Sequence, residues 1–264
     1  MSKGELRPKL LLSTDTLWWY WLDMIFKVAK EVGFDWIDLA VWKVFDSWNI
    51  DYVKTLSKEY DFPVSSIQVS SNINRKEVNH AVEIARELEA KTIVFNAPVF
   101  YNFRAFKFVK DNIAYYKKSY RNIEFCMLNP PKSNIWAVLP THHFSNIGEI
   151  IKKYKFFLWL DISNVNEDSM ELDLIRKLPN IVPYIGQIYL SDKSKYKGWH
   201  KSLGDGTLKI PAFLKKLKKL SYTKNFCIKL NMEKKELVDM DKIKIILKKN
   251  VVYYKEFYED LEIR

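Results

Sequence analysis

Cysteine is nearly missing. Cys126 and Cys227 are the only two in 264 residues, and their separation offers neither a disulfide framework nor a CxxC metal site. Glutamine is equally rare, with Gln68 and Gln187 alone, while Lys, Glu, Ile and Tyr are abundant. That bias is reported for proteins of hot environments and sets the expectation of a thermophilic source. No apolar run approaches the roughly 20 residues of a membrane span. The opening MSKGELRPKLLLSTD holds too short an apolar segment for a secretory signal, so a soluble cytoplasmic protein with no membrane partner is expected. Only 7 glycines occur, which gives weight to Gly33, Gly204 and Gly206 at predicted turns.

What is plentiful is positive charge: a net +11 with a pI near 9.3. Clustered Lys and Arg would suit a nucleic-acid partner. Much of the charge, however, follows patterns such as Phe213-Leu214-Lys215-Lys216-Leu217-Lys218-Lys219-Leu220, where apolar positions face a sheet and lysines form the wet side of an outer helix. Nucleic acid is therefore compatible with the composition but not favoured. Hydrophobic residues make up 48% of the chain, enough for a full core.

Apolar runs of strand length alternate with helix-period segments, the signature of a parallel sheet with helical crossovers. Eight strands are predicted, over 9–13, 36–40, 64–69, 92–96, 123–128, 156–161, 185–190 and 226–230. Helices are predicted over 22–32, 51–60, 75–88, 103–120, 146–153, 169–177, 211–220 and 241–258. No linker or composition break divides the chain, so residues 1–264 are read as a single α/β domain, a (β/α)8 TIM barrel of ordinary length.

Several weak motifs, in order, strengthen that reading. Glu31-Val32-Gly33-Phe34-Asp35-Trp36-Ile37-Asp38-Leu39 is similar to a "G-f-d-g-I-E-l" entry into a second strand. His80 to Val94 is similar to "a-x-x-l-A-x-x-L-G-a-x-x-v-v", Asn122 to Pro131 to a strand ending "l-E-N-x-P", and Leu160-Asp161-Ile162-Ser163-Asn164 to "l-D-x-x-H". Ile185 to Leu230 resembles "i-x-h-v-H-l-x-D … H-x-x-l-G-x-G" closed by a strand ending in Glu, with Tyr189 at the His, Lys229 at the Glu, and Asp192, His200 and Gly204-Asp205-Gly206 retained. The chain thus resembles the xylose-isomerase-like barrels, which include sugar-phosphate isomerases, epimerases and endonuclease IV.

The resemblance implies a site at the carboxyl ends of the strands. The four metal ligands of the isomerase-type members fall on Leu128, Asp161, Tyr189 and Lys229, of which only Asp161 can serve. The further positions of the multi-zinc endonuclease pattern fall on Gln68, Asn96, Asn164, Gly198 and His200, of which only His200 is a normal ligand. The expectation is a degenerate site with no metal and no cofactor. Lys229, Asp161 and His200 are the candidate catalytic residues, and Asp38, Gln68, Asn96, Asn164, Tyr189, Asp192 and Trp42 the candidate substrate contacts. Lys229 is expected to supply the lost metal's charge, paired directly or through one water with Asp161. A lysine desolvated to a low pKa could also serve as base or Schiff-base former.

Cys126 and Cys227 lie two residues before Leu128 and Lys229 and should fill the barrel one layer below the mouth. His142-His143 lacks partner spacing and suits a helix-entry loop. Trp18, Trp19, Trp21 and Trp42 could wall a sugar site or pack as core. Lys193, Lys195, Lys197 and Lys201 could hold a phosphate or face water. Two classes stay open: a small-molecule barrel taking a sugar, polyol or sugar phosphate, with or without metal-free proton transfer, or a non-catalytic protein- or nucleic-acid-binding subunit. An abasic-site nuclease is a distant third. Oligomeric state is not legible.

Overall fold

The computed structural model describes residues 7–131, 134–135, 139–144, 146–165, 170–194 and 198–259. Eight parallel strands close into a barrel in chain order: β1 (Leu10–Ser13), β2 (Trp36–Ala40), β3 (Val64–Val69), β4 (Thr92–Phe95), β5 (Glu124–Leu128), β6 (Phe157–Asp161), β7 (Ile185–Leu190) and β8 (Asn225–Ile228). Leu11 of β1 is level with both Trp36 of β2 and Cys227 of β8, which closes the ring. Each strand matches its sequence expectation to within two residues. Asn96 and Lys229 fall just past their strand ends, where barrel loops gather the site.

Helices α1 (Leu22–Val32), α2 (Ile50–Glu59), α3 (Arg75–Glu87), α4 (Phe103–Ser119), α5 (Ile147–Lys152), α6 (Arg176–Ile181), α7 (Ile210–Lys219) and α8 (Met240–Tyr254) surround the barrel. Their starts are written locally: Asn49, Asn74, Asn102, Asn146 and Asp239 each cap a helix by accepting a hydrogen bond from a first-turn backbone N–H. Gly33 ends α1 at a φ of 97°, a conformation other residues resist. Two expected helices differ. The sixth begins with a wide π turn over Met170–Ile175, and the last gives way to another over Lys255–Glu259.

Two cores result. The larger lies between strands and helices, where Phe213, Leu214 and Leu217 are buried while Lys215, Lys218 and Lys219 stand exposed, as the helix pattern requires. The smaller fills the barrel and contains Leu11, Val94, Cys126, Leu128, Trp159, Tyr189 and Cys227, so both cysteines are interior fillers. No described helix is long and apolar enough to cross a membrane.

Candidate active site

A cavity of about 440 Å³ opens at the carboxyl ends of the strands, lined by Asp15, Trp18, Trp42, Lys43, Asn96, His200 and Lys229, with Ser70, Ser71, Asn72 and Asn231 among its further polar groups. Its electrostatic centre is a residue the sequence reading did not single out. Asp15 sits in the short turn Thr14–Leu17 directly after β1 and is buried. Its Oδ2 lies 3.0 Å from Lys229 Nζ and its Oδ1 2.7 Å from Lys43 Nζ, one ammonium on each oxygen. Lys229 therefore pairs directly with Asp15 and not with Asp161. The sign of its pKa shift also reverses the expectation. Burial alone would lower it, but Asp15, then Asp161, hold the ammonium above its ordinary value, so Lys229 is a fixed cation and not a neutral nucleophile. Burial would raise the Asp15 carboxyl, and Lys229 and Lys43 bring it below the ordinary range. The ring of Tyr189 lies under the Lys229 ammonium at 4.8 Å.

Asp161 serves His200 instead. His200 Nε2 is 3.5 Å from Asp161 Oδ2, and Nδ1 is 3.0 Å from Ser191 Oγ and 3.3 Å from Ser163 Oγ. The carboxylate is fixed in turn: Oδ1 accepts from the Ser163 N–H and hydroxyl, and Oδ2 from Asn164 Nδ2. Asn129 clamps the Asp161 backbone from both sides. Burial lowers the His200 pKa more than Asp161 raises it, leaving a neutral imidazole near neutral pH. His200 lines the cavity while Asp161 is buried behind it, the relation of a base to its orienting carboxylate. His200 also holds a φ of 58° in the hairpin Asp192–Ser194 with Gly198–Lys201, uncommon for a non-glycine residue.

Of the other predicted contacts, Asn96 and Trp42 line the cavity. Asp38, Gln68 and Tyr189 do not. They are fully buried below it and face one another: Asp38 accepts from Ser66 Oγ (2.6 Å), Gln68 Nε2 (2.5 Å) and Tyr189 OH (2.9 Å), and Gln68 also donates to Ser13. Alternation along β2, β3 and β7 does turn these side chains inward, but one layer too deep to touch a ligand. Burial pushes the Asp38 carboxyl up against the pull of its donors. Asn164 braces Asp161 and the Asn129 carbonyl and does not line this cavity.

Asp192 is a loop organiser, accepting from the N–H groups of Lys193 and Leu208 at Oδ1 and of Gly204 at Oδ2. A Cβ on Gly206 would stand 2.3 Å from both Asp192 Oδ1 and the Lys193 carbonyl. Gly206→Ala should therefore cost about 1–3 kcal/mol, the usual range for overpacking, as a lower midpoint in urea unfolding.

His143 stacks on Phe106 in a loop and is not half of a ligand pair. Lys193 leans over Trp199, and neither it nor Lys201 lines the cavity. Lys195 and Lys197 lie outside the described residues.

Residues 26–245, most of the chain, match the family described as xylose isomerase-like TIM barrel. The chain belongs to this family. Among solved structures, a D-psicose 3-epimerase with D-tagatose from Clostridium cellulolyticum superposes with a TM-score of 0.64 at 11% identity, covering 94% of this chain and 99% of that one. A probable 3-DHS dehydratase from Bacillus anthracis gives 0.68 at 13% identity over 94% and 98%. At these identities the likeness is one of fold. An uncharacterized protein of Mycobacterium leprae is 29% identical over 120 residues, 41% of this chain and 43% of that protein. The chain thus matches less than half the length of these curated relatives.

Of the four residues that the resemblance sets at metal positions, three do not fit a divalent ion. Leu128 has no donor atom, the Tyr189 hydroxyl is spent on Asp38, and the Lys229 ammonium is bound to Asp15. Among the described residues no three His, Cys, Asp or Glu side chains converge on one point.

Proposed function

We propose that the mouth binds a small polyol or sugar, or its phosphate, and exchanges a proton on carbon beside a carbonyl, the reaction class of sugar isomerases and epimerases, without a divalent metal. The observation that carries this reading is the placement of a neutral, carboxylate-backed His200 and a fixed Lys229 ammonium on the wall of one cavity. His200 would take the proton at Nδ1, relayed through the Ser191 hydroxyl that faces that nitrogen, and the imidazolium so formed would be stabilised by Asp161 at Nε2. Lys229 would hold the carbonyl oxygen as negative charge develops on it, the task a metal performs elsewhere. Return of the proton to the other face of the same carbon gives an epimer; return to the neighbouring carbon gives an isomer.

The lining suits a polyol. Ser70, Ser71, Asn72, Asn96 and Asn231 offer hydrogen-bonding groups, and Trp18 and Trp42 offer flat apolar walls. Lys43 and Lys229 face Asp15, with Asp161 behind, so the fixed charges nearly cancel. That balance favours an uncharged sugar over its phosphate.

The test is solvent-deuterium incorporation into ketohexoses, aldohexoses and their phosphates, followed by NMR before and after treatment with a chelator. Incorporation that survives the chelator and is lost in His200→Gln is expected. Incorporation restored only by added zinc, manganese or magnesium would overturn the metal-free part, and no incorporation into any of these compounds would overturn the catalytic part.

A further inference from the structure

We propose that the tryptophan rim beside the mouth is a second subsite, taking the aromatic aglycone of a glycoside whose sugar ring, bearing the carbonyl that the proposed reaction needs, sits in the cavity; this rests on the sugar reading above. The rim comes from the two loops that follow β1 and β2. Trp18 and Trp42 line the cavity itself. Trp19 continues outward from Trp18, stacked at 4.4 Å with 19° between the planes, and is 54% exposed. In the same two loops Trp21 meets Phe45 edge-on at 6.3 Å, with Phe45 86% exposed.

Large aromatic side chains normally dominate cores, and several exposed in the same two loops mark a surface that is covered in use. Here the rings brace one another, Trp19 against Trp18 and Trp21 against Phe45, so the platform is held in shape before a ligand arrives. Because Trp18 belongs both to the cavity wall and to the stacked pair, the apolar surface runs without a break from the polar cavity to the outside. A ligand matching both parts has a hydroxyl-rich ring joined to a flat apolar ring.

Charge decides between this occupant and a nucleic-acid strand. Lys43, 5.8 Å from Trp18 and 5.1 Å from Trp42, shares Asp15 with Lys229, and the two ammonium groups are balanced by Asp15 and Asp161 together. Lys234, 6.0 Å from Trp19, stands in a turn that also holds Glu233 and Glu236, with Lys235 paired to Glu233. The turn beside the rim thus holds as many acids as lysines, not the run of cations that a phosphate backbone requires, although the chain as a whole is basic.

The test uses the full chain and measures, by saturation-transfer NMR, the affinities of glucose, galactose, fructose and psicose as methyl and as phenyl glycosides. Phenyl glycosides should bind about five- to tenfold more tightly than the methyl glycosides of the same sugar, in line with one added stacking contact. Trp19→Ala and Phe45→Ala, both at exposed positions outside the cavity, should each reduce that gain while leaving methyl-glycoside affinity unchanged. Equal affinity for the two series, or absence of binding by every glycoside, would overturn the subsite and leave the sugar reading to the deuterium-incorporation test above. Two further results would assign the rim to another occupant: a dimer in sedimentation that Trp19→Ala dissociates, or tight binding of oligo-dT lost in the same variant.

Discussion

Replacing Asp15 with asparagine should be among the most destabilising single changes at the mouth, costing about 3–5 kcal/mol in urea unfolding, because it leaves buried Lys229 without its direct counter-ion. Lys229→Met should cost less, since Asp15 keeps Lys43 at 2.7 Å. The double variant should be more stable than Asp15→Asn alone, giving a strong coupling in the cycle. The same cycle with Asp161→Asn should show much weaker coupling, because Asp161 makes no direct ion pair with Lys229 and faces His200. Coupling of equal size in both cycles would refute the assignment. The pH dependence follows from the signs. The Asp15 carboxyl is held below its unfolded value of 3.8, so its stabilisation is present above that pH and is lost as pH falls through the lowered value. Lys229 is held above 10.5, so its stabilisation is present below that pH and is lost as pH rises through the raised value. The pair should thus be intact across the neutral range, and Asp15→Asn should flatten the acid limb of the stability profile.

The second large effect concerns His200. His200→Gln keeps a polar side chain near Ser191 and Asp161 but removes the proton acceptor, so proton exchange should fall by about 10²- to 10⁴-fold with little change in sugar affinity. Because burial depresses the His200 pKa, the wild-type rate should hold its plateau down to below pH 6.5 and then fall as the imidazole becomes protonated. A parallel loss of binding and rate in the variant would show that His200 only shapes the cavity.

The barrel was legible because strand alternation and helix amphipathicity are local patterns that the closed sheet simply reuses. Leu39, Ile67 and Leu190 point to the helices, while Asp38, Gln68 and Tyr189 point inward. The depth of the inward residues was not legible. Register shifts between Ile37 and Asp38 and between Leu158 and Trp159 change how far each side chain stands below the mouth, and no local pattern announces them. The resemblance singled out Lys229, Asp161 and His200, which stand near the mouth, but did not point to Asp15, the direct partner of Lys229. The family's ligands come from other strand ends, whereas Asp15 lies in a turn after β1. A Lys at a ligand position was the available signal, since a buried ammonium requires an acid from some neighbouring strand end, and β1 adjoins β8. Ser163 and Ser191 had no signal of their own, because their roles exist only through the residue they orient, whereas Asn129 stands at the N of the "l-E-N-x-P" resemblance.

The Asp15–Lys229 contact joins the loop after the first strand to the end of the last, separated by most of the chain. It is therefore a clasp across the seam where the barrel closes. During folding or synthesis every other strand can be in place while Asp15 holds only Lys43, and the cation proposed to polarise the substrate arrives with the final strand. Partly folded chains would accordingly carry the walls of the pocket without its working charge.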